Sequence, residues 1–159
     1  MLRVVGALLA IALANPLCGL DLAICGPIDP MTGQEFRKEL TQIVARSEMS
    51  ARFVPCGSTV AVRLHLLADA PVEEPTALGA APRRYGQIGP DLRIFVGPIA
   101  QLVGTRLPYL LGVAMGRVAA HELGHYLRQD THHEREPGIM TEGLTGYQLI
   151  AAHDFRIPK

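Results

Sequence analysis

Val118-Ala119-Ala120-His121-Glu122-Leu123-Gly124-His125-Tyr126-Leu127-Arg128-Gln129 is the stretch on which the reading of this chain turns. Its apolar spacing predicts a helix, and it holds the pattern HExxH. Histidines at i and i+4 project from one helix face, so both imidazoles reach one metal ion. The intervening Glu122 projects about 100° around the helix, outside the first coordination shell but within reach of a metal-bound water. Two neutral nitrogen ligands, a nearby carboxylate and an open coordination position are what zinc-assisted hydrolysis requires.

Working outward, Pro108 sits well at the first turn of this helix, which would then run on to Gln129. Leu110, Leu111, Val113, Ala114, Val118, Leu123 and Leu127 cover much of its surface, so it should be a central, mostly buried element. Gly112, Gly116 and Gly124 weaken it locally and permit close packing by neighbours. Upstream, Thr32 to Met49 reads as an amphipathic helix with Phe36, Leu40, Ile43 and Val44 on one face. Thr32 with Glu35 resembles a capping box at its start. Arg52 to Pro55 is a short extended piece. Thr59 to Leu67 alternates as a half-buried strand, and Leu92 to Val96 is a second one. Ile99 to Thr105 reads as a short helix, and a last helix runs from Thr145 to about Phe155. Residues 68–90, rich in Ala, Pro and Gly, read as a long surface loop, either the rim of a cleft or a plain connector. The fold class expected is α+β: a small mixed sheet with a packed helix, a buried helix carrying HExxH, and a short C-terminal helix.

The chain has 159 residues, which fits one domain. Hydrophobic residues make up 48% and aromatics only 5%, so the core should rely on Leu, Val, Ile and Ala. Fifteen basic and fifteen acidic residues balance. No basic stripe interleaved with aromatics is present, so nucleic acid is not an expected partner. Met1-Leu2-Arg3, the apolar run Val4 to Leu13 and the small-x-small Ala12-Leu13-Ala14 have the form of a secretory signal cleaved near Ala14. Residues 15–159 would then form the mature domain, secreted or held in the periplasm or cell envelope. The apolar run is too short to span a bilayer, so no stable membrane insertion is expected. Of Cys18, Cys25 and Cys56, an oxidising compartment would pair two; Cys25–Cys56, Cys18–Cys56 and Cys18–Cys25 all remain open.

Catalytic zinc usually takes three protein ligands. Downstream of His125 the candidates are Asp130, His132 and His133. Glu134, Glu136 and Glu142 lie in loop-like sequence, and no glutamate-rich second helix follows. Gly138-Ile139-Met140 comes next. From Ala119 to Met140 the chain resembles the metzincin zinc peptidases, whose signature is HExxHxxGxxH followed by a methionine turn. It departs from that signature at two positions: Arg128 stands where the family has glycine, and Thr131 where it has the third histidine. The same stretch resembles small secreted bacterial proteins of metallopeptidase type, whose last histidine falls at His133.

The resemblance implies a set of roles. His121, His125 and His133 bind Zn2+, with His132 as the alternative third ligand. Glu122 serves as general base towards the zinc-activated water and returns the proton to the leaving amine. Met140 forms an apolar floor beneath the metal. The substrate is a peptide or protein segment, extended along an edge strand that either Thr59–Leu67 or Leu92–Val96 would supply. Tyr147 is a candidate donor to the oxyanion, although a tyrosine with its ring in the core is the commoner case. His65 and His153 read as packed or surface histidines. The rival reading is a zinc-binding but catalytically inactive secreted binding module.

Overall fold

The computed structural model describes residues 18–59 and 62–158. The signal-like segment 1–14 lies outside the described residues. In chain order the elements are β1 (Cys18–Cys25), α1 (Pro30–Arg46), β2 (Met49–Phe53), β3 (Val62–Leu67), β4 (Gly79–Ala80), β5 (Arg83–Arg84), β6 (Gln87–Ile88), β7 (Asp91–Phe95), α2 (Val96–Val103), α3 (Pro108–Arg128) and α4 (Gly146–Ile150). The main sheet has the order β2-β1-β3-β7-β4, and β5–β6 form a separate hairpin. The first four strands of that order run parallel and β4 runs antiparallel to β7, so the sheet is mixed, as expected.

One face of the sheet carries the core. Leu22, Leu64, Leu66, Leu92 and Ile94 point into it and meet Phe36, Leu40 and Ile43 of α1 and Met115, Val118 and Leu123 of α3. Each such side chain removed from water contributes about 1.5–3 kcal/mol before entropy is counted. The α1–α3 contact is close because α3 offers glycines at an i, i+4 spacing. A Cβ at Gly112 would stand 2.6 Å from Thr32 O, and one at Gly116 would stand 2.9 Å from Glu39 Cβ. The other face is polar, and its charges pair across strands, as Arg52 does with Asp21 and Arg63 with Asp91.

Buried charge fixes α3 against its surroundings. Arg117 is almost wholly buried and donates to Glu39 Oε1 at 2.7 Å. It also donates to the carbonyls of Gln148 and Ala151, at 2.8 and 2.6 Å, which draws the C-terminal segment onto α3.

Several expectations are corrected here. Cys18–Cys25, not expected as a strand, is central to the sheet, with β2 on one side and β3 on the other. Helix α1 is capped by Asp29, whose carboxylate accepts from Met31 N and Thr32 N, rather than by a Thr32–Glu35 box; Pro30 takes the first turn. The capping box belongs to α4, where Thr145 and Gln148 satisfy each other. That helix ends at Ile150, not near Phe155. Beyond it the chain has no regular structure, with Phe155 and Ile157 buried and Ile157 N donating to Ser47 Oγ at 2.8 Å. The disulfide is Cys25–Cys56, which ties β1 to the loop after β2.

Candidate metal centre

Helix α3 passes through the core, and every residue from Leu111 to Ala120 is buried. Its C-terminal third emerges under a cleft of about 940 Å³. His121, Glu122 and His125 line that cleft together with His133. Residues 73–81 line it, so this part of the long Ala/Pro/Gly-rich segment is a cleft rim, and residues 141–144 line it as well.

The three histidines converge. His121 Nε2 stands 3.0 Å from His125 Nε2 and 3.3 Å from His133 Nε2. One ligand nitrogen from each lies within 4.8 Å of the others, and among the described residues this is the cluster able to hold a metal. Nitrogens bound to one tetrahedral zinc at about 2.0–2.1 Å sit about 3.3 Å apart. His132 does not join them. Asp130 Oδ1 accepts from His132 N at 2.9 Å and lies 3.0 Å from His132 Nδ1, and the ring is held out in solvent.

The donor chemistry fits a cation. His121 Nδ1–H donates to Ile139 O and His125 Nδ1–H donates to Asp130 O, both at 2.7 Å. With those protons committed, each neutral ring presents a lone pair at Nε2. Two lone pairs face each other across 3.0 Å with no proton between them. A shared positive ion turns that repulsion into bonding, and the paired carbonyls orient the rings for it. Burial pulls His121 down to about 4, assisted by the charges of His125 and His133 and opposed by the Ile139 hydrogen bond. His125 is lowered mainly by burial. Both rings are therefore neutral, the form that binds a metal, at ordinary pH.

Glu122 is buried beside the cluster, and burial pushes its carboxyl up to about 8. Strand β4 crosses directly over it. A Cβ at residue 79 would stand 2.7 Å from Glu122 Oε1 and 2.8 Å from its Cγ, so glycine alone lets the strand approach the carboxylate. Met140 is fully buried, and a Cβ at Gly124, in the helical turn between His121 and His125, would collide with its Sδ. Met140 thus packs against the turn that carries His121 and His125.

The remaining expectations fall elsewhere. Tyr147 does not line the cleft; its ring is 72% exposed and meets His153 edge-on at 6.2 Å, so it stands neither at the site nor in the core. His153 borders a separate cavity of about 550 Å³ near the C-terminal segment. His65 lies on the polar sheet face, 2.9 Å from Asp91. Neither proposed edge strand is an edge: β3 lies between β1 and β7, and β7 between β3 and β4. The edge beside the cleft is β4, which pattern reading missed because Gly79-Ala80 is too short to show alternation. Sequence reasoning also missed the orienting carbonyls of Ile139 and Asp130, since backbone acceptors leave no mark in residue type. No protein-family model matches this chain, and neither a curated protein nor a solved structure matches it.

Proposed function

We propose that this chain is a secreted zinc peptidase that cleaves extended peptide segments laid along β4. The observation that carries the proposal is the convergence of three histidine nitrogens next to a buried glutamate under a free sheet edge. His121, His125 and His133 would hold the zinc. When bound, the ion supplies a Lewis acid and an acidified water. Glu122 takes the proton that the attacking water sheds as its oxygen bonds to the scissile carbonyl carbon. Glu122 then delivers that proton to the amine nitrogen as the C–N bond breaks.

Strand β4 supplies the alignment. As the terminal strand it offers backbone N–H and C=O groups to an extended chain, and Gly79 brings that backbone against Glu122. A peptide paired there runs past the catalytic carboxylate instead of merely colliding with it. Glu73, Glu74 and Glu142 also line the cleft while, among the described residues, no lysine or arginine does, which favours basic over acidic substrate segments. The Cys25–Cys56 disulfide suits an oxidising, extracytoplasmic compartment, and no described helix is long and apolar enough to cross a membrane.

The test pairs the wild-type protein with Glu122→Gln on an unstructured, lysine-containing protein substrate. Glu122→Gln should keep zinc and lose activity by about 10²–10⁴-fold, the usual contribution of a general base. Equal cleavage by the two proteins would sink the enzyme reading. Zinc binding with no cleavage by either would leave a zinc-dependent binding module.

A further inference from the structure

The turn that follows α3 departs from what its backbone would favour. Gln129 lies in the left-handed region, with φ 53° and ψ 33°. Its N–H donates to Tyr126 O and the next N–H, of Asp130, donates to His125 O, each at 3.3 Å. This is the six-to-one, five-to-two pattern that closes a helix and that normally takes glycine at the left-handed position. Glycine would relieve the backbone here. The side chain that stands in its place is not idle.

The Gln129 amide makes three bonds to main chain. Its Oε1 accepts from Ile88 N at 2.9 Å, and its Nε2 donates to Ile88 O at 3.0 Å and to Tyr126 O at 2.8 Å. Ile88 is itself almost wholly buried, so the glutamine grips a fixed point. That point is the end of the β5–β6 hairpin, which follows β4 in the chain. On its other side the same turn governs two ligands. It presents Asp130 O to His125 Nδ1 and starts the segment that brings His133 back over His121.

We propose that Gln129 is the positioning residue of the metal centre, locking the ligand-bearing turn to the buried end of the β5–β6 hairpin. It touches no metal, and metal affinity nonetheless depends on its amide. The inference rests on the three-histidine reading of the site. Its consequence is that the β5–β6 hairpin and the segment carrying the third ligand move as one unit.

The test measures Zn2+ affinity by competition with a chromophoric chelator, and records the Co2+ absorption spectrum, for the full chain and two variants. Gln129→Met keeps the side-chain length but removes all three bonds; Gln129→Glu keeps the acceptor towards Ile88 N and loses both donations. Methionine should lower Zn2+ affinity by about 10–100-fold, the usual effect of losing a group that holds ligands in place, and weaken the tetrahedral Co2+ bands. Glutamate sets a carboxylate oxygen against the Ile88 and Tyr126 carbonyls and should lower the affinity at least as far as methionine. Thermal melts of the metal-free proteins should differ far less than the affinities do. Wild-type affinity in Gln129→Met overturns the inference. So does loss of the folded state in both variants, which would make the role purely structural. Failure of the wild-type protein itself to bind Zn2+ overturns the three-histidine reading instead.

Discussion

Two stretches build the candidate metal centre, and they do so by different means. Helix α3 delivers His121, Glu122 and His125 from a rod seated in the core by Gly112, Gly116 and the Arg117–Glu39 pair. The segment 129–140 delivers His133 and Met140 without a helix or strand, held by the Gln129 amide, by Glu134 N donating to Met140 O at 2.9 Å, and by an Arg128–Glu134 ion pair. Helical ligands owe their relative placement to backbone periodicity. Loop ligands owe theirs to individual side-chain and carbonyl bonds, each of which can be removed separately.

The largest expected effects lie on the helical side. His125→Ala removes a candidate ligand that is 6% exposed, so Zn2+ affinity should fall by more than the 10–100-fold expected on losing a group that only orients a ligand. A His125→Ala protein that binds Zn2+ as tightly as wild type in calorimetry would erase the distinction drawn here. Next comes the seat of the helix. Glu39→Gln leaves the Arg117 charge buried without its counter-ion and should cost about 3–5 kcal/mol in denaturant melts. A loss below about 1 kcal/mol would mean that the pair does not anchor α3.

The smallest effect is a pH dependence in the metal-free protein. The raised Glu122 value means the folded state binds a proton that the unfolded state has released between pH 4.5 and about 8. Stability from this group is therefore present at low pH and lost as pH rises towards 8. His121 works in the opposite sense. Its value near 4 means the unfolded state gains the proton first, so stability is lost as pH falls from 6.5 towards 4. Above pH 6.5 only the Glu122 effect remains. Metal-free Glu122→Gln should accordingly gain on wild type between pH 6.5 and 8 in parallel melts. An unchanging difference would show that burial does not control this carboxyl.

The same contrast explains what could be read from residues alone. The helix, its HExxH and the half-buried strands β3 and β7 were legible because periods of 3.6 and 2 repeat over enough residues to register. The class of fold and the mixed sheet follow from those elements. The choice between His132 and His133 was not legible, since it depends on the Asp130 carboxylate capturing His132 on the solvent side. Strand β1 was hidden beside the signal-like segment, although Leu20, Leu22 and Ile24 do alternate within it. Strand β4 carries no periodic signal in two residues. The early end of α4 was equally unmarked, because it follows from carbonyls drawn to Arg117, a residue some thirty positions away. What the chain conceals is therefore the long-range polar contacts that finish the site, and not the helix that begins it.

The most direct test of the three-histidine centre is metal content by elemental analysis for wild type, His132→Ala and His133→Ala, each loaded with Zn2+ and dialysed side by side. One equivalent of zinc retained by wild type and by His132→Ala, with His133→Ala losing it, is the predicted result. Zinc absent from wild type, or lost with His132 and kept without His133, would contradict it.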